Sequence, residues 1–211
     1  MYTPDFQKMT MLDVIMKRKS TRLFDEKKSI DPVELERILR AALQAPSPKN
    51  RQPWHFTVVT GDDSRRKAAQ VLEETLARLK QVRIKAGAVT DDLELAAGSV
   101  RAMKTAAAVV FVEYIRDIAN EHGDDHCWEL SARPFEVADL QSIGAAIQNL
   151  LLEATASGIA SLWMCDVLYA VPELSTYLGL KHTLIAAVAL GYESRRATPR
   201  FGIEEKVTFF G

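Results

Sequence analysis

The sequence predicts one α+β domain spanning residues 1–211, in which helices flank a central mixed sheet. Three observations carry this prediction. The chain has 211 residues that are 47% hydrophobic, which is enough for one substantial core. Segments with helical apolar spacing alternate irregularly with β-branched segments, and the chain contains neither internal repeats nor low-complexity stretches. The irregular order favours α+β over a regular series of βαβ units.

Two N-terminal segments carry helix-start signals. Residues 11–19 have apolar side chains three and four apart, and Thr10 precedes them as a suitable N-cap. The second helix begins at Pro32, because Asp31 is a favourable N-cap and proline suits the first helical turn. This helix must end before Pro46, because proline removes a backbone donor and restricts the preceding residue.

The remaining elements are predicted from apolar spacing and β-branched composition. Helices are expected over 64–85, 137–157 and 172–178, and extended segments over 56–60, 106–113, 160–167, 184–190 and 206–210. The helix over 137–157 is apolar on more than one side, which indicates burial on several sides. Residues 87–99 show no clear pattern, and the irregular stretch 115–135 is typical of a lid or insert.

The charge balance excludes several classes of partner. There are 27 Lys+Arg against 28 Asp+Glu, so no overall positive field attracts nucleic acid or an anionic membrane. Two cysteines do not make a disulfide framework, and no apolar run is long enough to span a bilayer. The polar N-terminus lacks the pattern of a signal peptide. These features predict a cytoplasmic protein whose anion sites are local.

A basic segment follows the first helix, with the order Arg18, Lys19, Ser20, Thr21 and Arg22. An extended backbone would direct Arg18, Ser20 and Arg22 to one side. Guanidinium and hydroxyl groups are good phosphate donors, so this side is a candidate anion site. The alternative is a solvated basic helix end, where cations suit the helix dipole, and five residues alone favour that alternative.

A proline-rich segment over 45–54 joins the second helix to the first strand. Its prolines restrict the backbone, so the polar side chains of Ser47, Asn50 and Gln52 lose little freedom on binding a ligand. The amide of Asn50 offers both a donor and an acceptor, which suits the mixed edge of a flavin or a base. The alternative is a rigid connection with Trp54 in the core, and both hypotheses stay open on the residues alone.

Other candidate sites have weaker support. The spacing of His122, His126 and Cys127 is compatible with a metal ligand set, but an exposed acidic loop explains the stretch equally well, and no metal site is predicted. The chain lacks a phosphate-binding P-loop, a dinucleotide fingerprint and a serine-hydrolase elbow. Cys165 lies in an apolar stretch and is assigned to the core and not to a nucleophilic role. His55 and His182 have no identifiable partner and are assigned structural or surface roles.

Taken together, four ordered blocks resemble the FMN-dependent nitroreductase-like superfamily and cover nearly the whole chain. The first block is Arg18, Lys19, Ser20, Arg22 and Phe24, and the second is Ala45, Pro46, Ser47, Asn50, Gln52, Pro53, Trp54 and Phe56. The third covers residues 144–152 and 158–163, and the fourth covers residues 190–192 with Pro199 and Arg200. The stretch 61–135 contributes little to the resemblance.

The resemblance implies a fold and a site. The fold would be α+β with a mainly antiparallel sheet, in a homodimer that exchanges C-terminal strands and binds two FMN molecules at the subunit interface. The resemblance implies that the phosphate, ribityl chain and pyrimidine edge of FMN are bound by Arg18, Lys19, Ser20 and Arg22, with a further phosphate contact from Arg200. The partner subunit would contribute its Pro46, Ser47 and Asn50. One face of the flavin would lie along Leu162, Trp163 and Met164.

The implied activity is that of an NAD(P)H oxidoreductase. NADH or NADPH would give a hydride to flavin N5, and an electron-poor acceptor such as a nitroaromatic or a quinone would then receive it. No catalytic side chain is expected, because the cofactor carries the chemistry. Two alternatives stay open: a flavin-fragmenting or reductively dehalogenating relative of the same fold, and a flavin-binding module without turnover. The acceptor would depend on residues 115–135.

Overall fold

Four antiparallel strands form the centre of the computed structural model, which describes residues 10–116, 134–194 and 208. The strands, in the sheet order β1-β2-β4-β3, are β1 (Trp54–Val59), β2 (Ala108–Tyr114), β3 (Ala160–Met164) and β4 (Thr183–Gly191). The helices are α1 (Met11–Lys17), α2 (Pro32–Leu43), α3 (Asp62–Lys85), α4 (Asp91–Leu95), α5 (Ala97–Thr105), α6 (Pro134–Ala156) and α7 (Val171–Leu178). Helices flanking a sheet confirm the predicted α+β class. Of the predicted strand over 206–210 the structure describes only residue 208, and the exchange of this strand in a dimer is not tested.

Both predicted N-terminal helix starts are confirmed. The Thr10 hydroxyl accepts a hydrogen bond from the Asp13 backbone N–H at 3.2 Å, and the Asp13 carboxylate accepts one from the Thr10 N–H at 2.9 Å. The Asp31 carboxylate caps α2 by accepting from the Val33 N–H at 2.8 Å. Helix α1 ends two residues earlier than predicted, because Arg18 has an extended ψ of 127°.

A short segment adds a parallel contact to the antiparallel sheet. Ser20 forms a parallel bridge with Ser161 of β3, and the Thr21 N–H donates to the Ser161 carbonyl at 2.9 Å. Four residues later, Phe24 forms an antiparallel bridge with Glu193. The four-stranded sheet is antiparallel throughout, and the parallel bridge joins a neighbouring segment to its β3 edge.

The sheet separates two hydrophobic clusters. On one face, Phe111, Leu162 and Met164 pack in a cluster with residues of α3, α5 and α7. On the other face, strand residues such as Val110 pack with α2 and α6. The fully buried side chains of α6 are spaced three and four residues apart and so lie on one face of the helix: Ile143, Ala146, Ile147, Leu150, Leu151 and Ala154. The predicted burial on several sides is therefore wrong for the single chain, because Leu140, a member of the predicted apolar surface, is 42% exposed.

Two segments differ from the prediction or were not predicted. Residues 91–105 form α4 and α5, although their small and acidic residues carry no strong periodicity. Strand β3 ends at Met164 instead of continuing to 167, because the Leu168 N–H bonds to the Cys165 carbonyl and starts a 3-10 turn over Asp166–Ala170.

Of the predicted lid over 115–135, the structure describes only 115, 116, 134 and 135. Among the described residues, no helix is both long and apolar enough to cross a bilayer.

A half-buried polar cluster of Arg83, Asp92 and Tyr169 joins the end of α3 to α4. Both carboxylate oxygens of Asp92 accept hydrogen bonds from Arg83, at 2.7 and 2.8 Å, and the Tyr169 hydroxyl donates to the same carboxylate at 2.6 Å. The Tyr169 hydrogen bond, followed by the Arg83 guanidinium, lowers the pKa of Asp92. The same hydrogen bond raises the pKa of Tyr169. Each shift favours the ionised carboxylate beside a protonated phenol.

The free energy of unfolding at acid pH is expected to depend on this cluster. Because folding lowers the pKa of Asp92, its contribution is complete above the unfolded-state pKa of about 4 and is lost as the pH falls through the lower folded-state pKa. Asp92→Asn should therefore lower the urea midpoint at neutral pH, and the gap from the parent protein should narrow at about pH 3 or below. The neighbouring Asp91→Asn serves as the control, and a gap that does not change with pH contradicts the prediction.

Candidate functional site

The basic segment is extended beside β3, and its side chains separate into two groups. Lys19 and Thr21 line a small cavity of about 160 Å³ together with Glu193, and Thr21 is only 1% exposed. The Lys19 ammonium pairs with the Glu193 carboxylate at 2.8 Å. Ser20 and Arg22 are exposed, and within the part of the chain that the structure describes neither side chain has a hydrogen-bond partner. Lys19 is thus placed apart from Ser20 and Arg22.

Arg22 lies against the start of α5. A Cβ atom on Gly98 would be 3.3 Å from Cδ of Arg22, so the glycine leaves room for the side chain. Arg101 is one helical turn further along α5 and is also exposed. Over the described ranges it forms no ion pair. Arg101 is a basic residue of this region that the sequence did not reveal, because the stretch before it carries no helical pattern.

The far end of the segment is fixed by close packing. Phe24 is buried, and a Cβ atom on Gly191 would be 2.9 Å from Cδ1 of its ring and 3.1 Å from the Ala107 nitrogen. The Phe24 N–H also donates to the Thr105 hydroxyl at 3.2 Å. The residues between Thr21 and Phe24 are consequently held at both ends, which fixes the position of Arg22.

The proline-rich connection forms a tight polar loop. Three of its residues, Lys49, Asn50 and Gln52, have positive φ angles of 53°, 54° and 49°. The Gln52 N–H donates to the Ser47 hydroxyl at 3.0 Å, and the Gln52 amide donates to the Asn50 amide oxygen at 3.2 Å. Pro46 and Asn50 are exposed and Ser47 is half-buried. The hydroxyl hydrogen of Ser47 and the amide hydrogens of Asn50 are available as donors.

The two candidate groups are attached to different elements. The basic segment is joined to β3 through Thr21 and Ser161, whereas the loop is joined to α6 by an ion pair between Arg51 and Asp139 at 2.6 Å. Trp54 after the loop is buried, as the alternative hypothesis for this segment expected. The loop is therefore both a rigid connection and a carrier of exposed polar groups.

Strand alternation divides the three predicted residues of β3. Leu162 and Met164 are buried in the cluster with α3 and α5. Trp163 is 39% exposed and lies beside α6, where a Cβ on Gly144 would be 4.0 Å from its ring. A ligand at this surface would meet the Trp163 side chain, while Leu162 and Met164 could offer only backbone groups. Arg200 and the candidate metal ligands at 122–127 lie outside the described residues.

The assignment of Cys165 to the core is wrong. Cys165 is exposed and not a core residue, because it follows the last residue of β3 and begins the turn that leaves the sheet. Partial burial of the thiol, together with the adjacent Asp166, raises the pKa of Cys165. His55 is exposed and His182 is half-buried, in agreement with their structural or surface assignment. Their rings meet edge to face with centroids 5.7 Å apart, a contact that the sequence did not reveal.

Glu113 is a buried carboxylate that the sequence analysis did not single out. It accepts hydrogen bonds from the Thr57 hydroxyl at 2.7 Å and from the backbone N–H groups of Lys181 and His182 at 3.2 and 3.1 Å. These bonds attach the start of β4 to β2. Glu113 is thus a structural acceptor, and within the described ranges no group of three metal-ligating side chains is present.

The fold and the β3 edge define an α+β protein that presents basic and hydroxyl donors beside a half-exposed indole. Comparison with known proteins narrows this class. The chain belongs to the nitroreductase family, whose model matches residues 15–192. Membership places it in a family of oxidoreductases and agrees with the resemblance found in the four sequence blocks.

Relatives and solved structures agree with this placement. A protein of Archaeoglobus fulgidus, provisionally named an NADH dehydrogenase/NAD(P)H nitroreductase, is 27% identical over 188 residues, which is 86% of this chain and 84% of the relative. A BluB-like flavoprotein from Clostridium difficile 630 has a TM-score of 0.77 and 26% identity, with 96% and 100% of the two chains covered. A nitroreductase from Desulfitobacterium hafniense, solved with bound FMN, has a TM-score of 0.71 and 25% identity over 96% and 100%.

Proposed function

We propose that this protein is an FMN-dependent NAD(P)H oxidoreductase, with the flavin bound along the basic segment and β3. The observation that carries the proposal is the exposed pair of donors on Ser20 and Arg22, which have no partner in the described part of the chain. They lie on a segment whose backbone is fixed by Ser161 and Phe24. Relatives named NAD(P)H nitroreductase and the FMN-bound neighbour support the choice of ligand.

The donor set fits the chemistry of FMN. Guanidinium and hydroxyl groups are strong donors to a phosphate, and Arg22 beside Gly98 can stabilise negative charge on the pyrimidine edge. Arg101, which lies on α5 as Gly98 does, adds a second positive charge. The half-exposed indole of Trp163 offers an apolar surface that excludes water from one side. When bound, FMN supplies hydride transfer through N5 from NADH or NADPH to an electron-poor acceptor such as a nitroaromatic or a quinone.

A homodimer is part of the proposal. Helix α1 exposes much of its apolar surface in the single chain, including Met11 at 67% and Met16 at 71%. Helix α6, which contacts α1, exposes Leu140 at 42%, and β3 exposes Trp163 at 39%. Exposed large apolar side chains in such number are typical of a protein that has an interface. In the dimer, Pro46, Ser47 and Asn50 of one subunit would complete the FMN site of the other.

The absorbance spectrum of the purified protein tests this function. The expected result is a yellow protein with a dimer mass in sedimentation, whose flavin bands bleach when NADH or NADPH is added without oxygen. Adding a nitroaromatic or a quinone should then reoxidise the flavin and restore its absorbance bands. A colourless protein that does not take up added FMN contradicts the proposal, whereas bound FMN that neither nicotinamide reduces indicates a module without turnover. Breakdown of the flavin under oxygen would indicate the flavin-fragmenting alternative.

A further inference from the structure

A partly buried ion pair attaches the polar loop to α6. The Arg51 guanidinium lies 2.6 Å from the Asp139 carboxylate, and the side chains are 18% and 0% exposed. The Tyr114 hydroxyl is 3.4 Å from the same carboxylate oxygen. The Phe135 ring lies with its centroid 5.3 Å from the guanidinium carbon. Arg51 is therefore fixed by charge, by hydrogen bonding and by a ring contact at once.

The loop around Arg51 has an unfavourable backbone. Lys49, Asn50 and Gln52 all have positive φ angles, a region that residues with a Cβ atom adopt at a cost. Arg51, between them, has an ordinary φ of −68°. Such a conformation persists only where the surrounding structure holds it. The side chain of Arg51 is the loop's charged link to a helix.

We propose that the Arg51–Asp139 pair is a latch that holds residues 47–52 in the conformation that presents Ser47 and Asn50 to the FMN of the partner subunit. The inference rests on the proposed function. Arg51 and Asp139 are positioning residues, because their charges are paired with each other inside the subunit. The latch affects flavin binding indirectly: it holds the loop at its positive φ angles, and this backbone conformation sets the positions of Ser47 and Asn50.

The energetics of buried ion pairs favour a positioning role over a purely stabilising one. Taking both charges out of water costs much of what their attraction returns, so a buried pair is weak evidence for stability. The pair does fix the orientation of the Arg51 side chain relative to α6, since the planar guanidinium binds a carboxylate in a defined geometry. A lysine ammonium lacks this planar geometry, so Arg51→Lys is expected to hold the loop less well.

The latch is tested by FMN titration of the flavin-free full-length protein and by the visible circular dichroism of the bound flavin. Arg51→Ala and Asp139→Asn are expected to weaken FMN binding by about tenfold or more and to change the flavin dichroism, because the loop relaxes. Arg51→Lys should give a smaller loss. The matched control is Ile38→Val, which loosens the fully buried core beneath α2 and should leave both flavin readouts unchanged.

A second-site change separates positioning from general destabilisation. Lys49→Gly removes the cost of a positive φ, because glycine adopts this region freely. Added to Arg51→Ala, it should restore part of the lost FMN affinity. If Arg51→Ala does not fold, the double change Arg51→Gln with Asp139→Asn takes its place, since it removes both charges of the pair.

The outcomes distinguish the latch from the function on which it rests. Normal FMN affinity and dichroism in Arg51→Ala, while the parent protein binds FMN, would overturn the latch and leave the proposed function intact. The same holds if Ile38→Val loses as much affinity as Arg51→Ala. A parent protein that binds no FMN overturns both. Weaker binding that Lys49→Gly partly restores supports the latch.

Discussion

Removing both arginines of the basic segment, by Arg18→Ala and Arg22→Ala together, is expected to yield a protein that purifies without flavin. Each guanidinium contact to a charged or electron-rich group contributes about 1.5–3 kcal/mol. If the two contributions add, the loss is about 3–6 kcal/mol, or between roughly a hundredfold and ten-thousandfold in FMN affinity. Fluorescence quenching of added FMN measures the affinity directly, and the single variants should each show an intermediate loss.

An arginine outside the candidate site provides the control for this experiment. Arg40 lies on α2 in an exposed ion pair with Glu36, so Arg40→Ala removes the same charge at a distance. It should leave flavin content unchanged, since exposed pairs contribute little. Retention of full flavin by the Arg18→Ala, Arg22→Ala protein would show that the phosphate site lies elsewhere. Loss of flavin from Arg40→Ala as well would point to a nonspecific charge effect.

Gly191→Ala is expected to damage both the fold and the site. The added methyl group would lie 2.9 Å from the Phe24 ring and 3.1 Å from the Ala107 backbone nitrogen, and neither is the end of a flexible side chain. Overpacking of this kind costs about 1–3 kcal/mol or more. Because Phe24 is the far anchor of the basic segment, its displacement should also shift Ser20 and Arg22 and weaken FMN binding. Urea unfolding and FMN titration measure the two effects.

Gly61→Ala is the matched control. A Cβ atom on Gly61 would meet only the Ser64 side chain, with the nearest atom at 3.7 Å, and Gly61 has an ordinary φ of −67°. Its urea midpoint should therefore change little, with FMN affinity unaltered. If Gly191→Ala is as stable as Gly61→Ala, the ring of Phe24 does not pack against β4 as the structure shows.

Much of the fold could be predicted from local signals. The Thr10 and Asp31 caps, the proline at the start of α2, and the apolar run at the centre of β2 each act within a few residues, and all were confirmed. Helices α4 and α5 could not be predicted, because their small residues are helical through packing and not through propensity. The early end of β3 likewise depends on a turn whose hydrogen bonds sequence patterns do not encode.

The candidate site was predictable only in part. Alternation along the basic segment predicted that Arg18, Ser20 and Arg22 would share one side. Ser20 and Arg22 are exposed, whereas Arg18, the C-cap residue of α1, is half-buried. The pairing of Lys19 with Glu193 joins residues 174 positions apart, and no local pattern predicts such a contact. The same is true of Arg51 with Asp139, 88 positions apart, and of Arg22 beside Gly98. Contacts of this length are properties of the folded chain.

The parallel bridge between Ser20 and Ser161 has a consequence for association as well as for binding. A strand at the edge of a sheet leaves N–H and C=O groups open to pairing with any other chain, which is a route to aggregation. The Thr21 N–H occupies the Ser161 carbonyl on the outer side of β3. The segment proposed to hold the cofactor therefore also protects a sheet edge. Changes there that preserve the backbone, such as the arginine substitutions, should lower flavin content without making the protein insoluble.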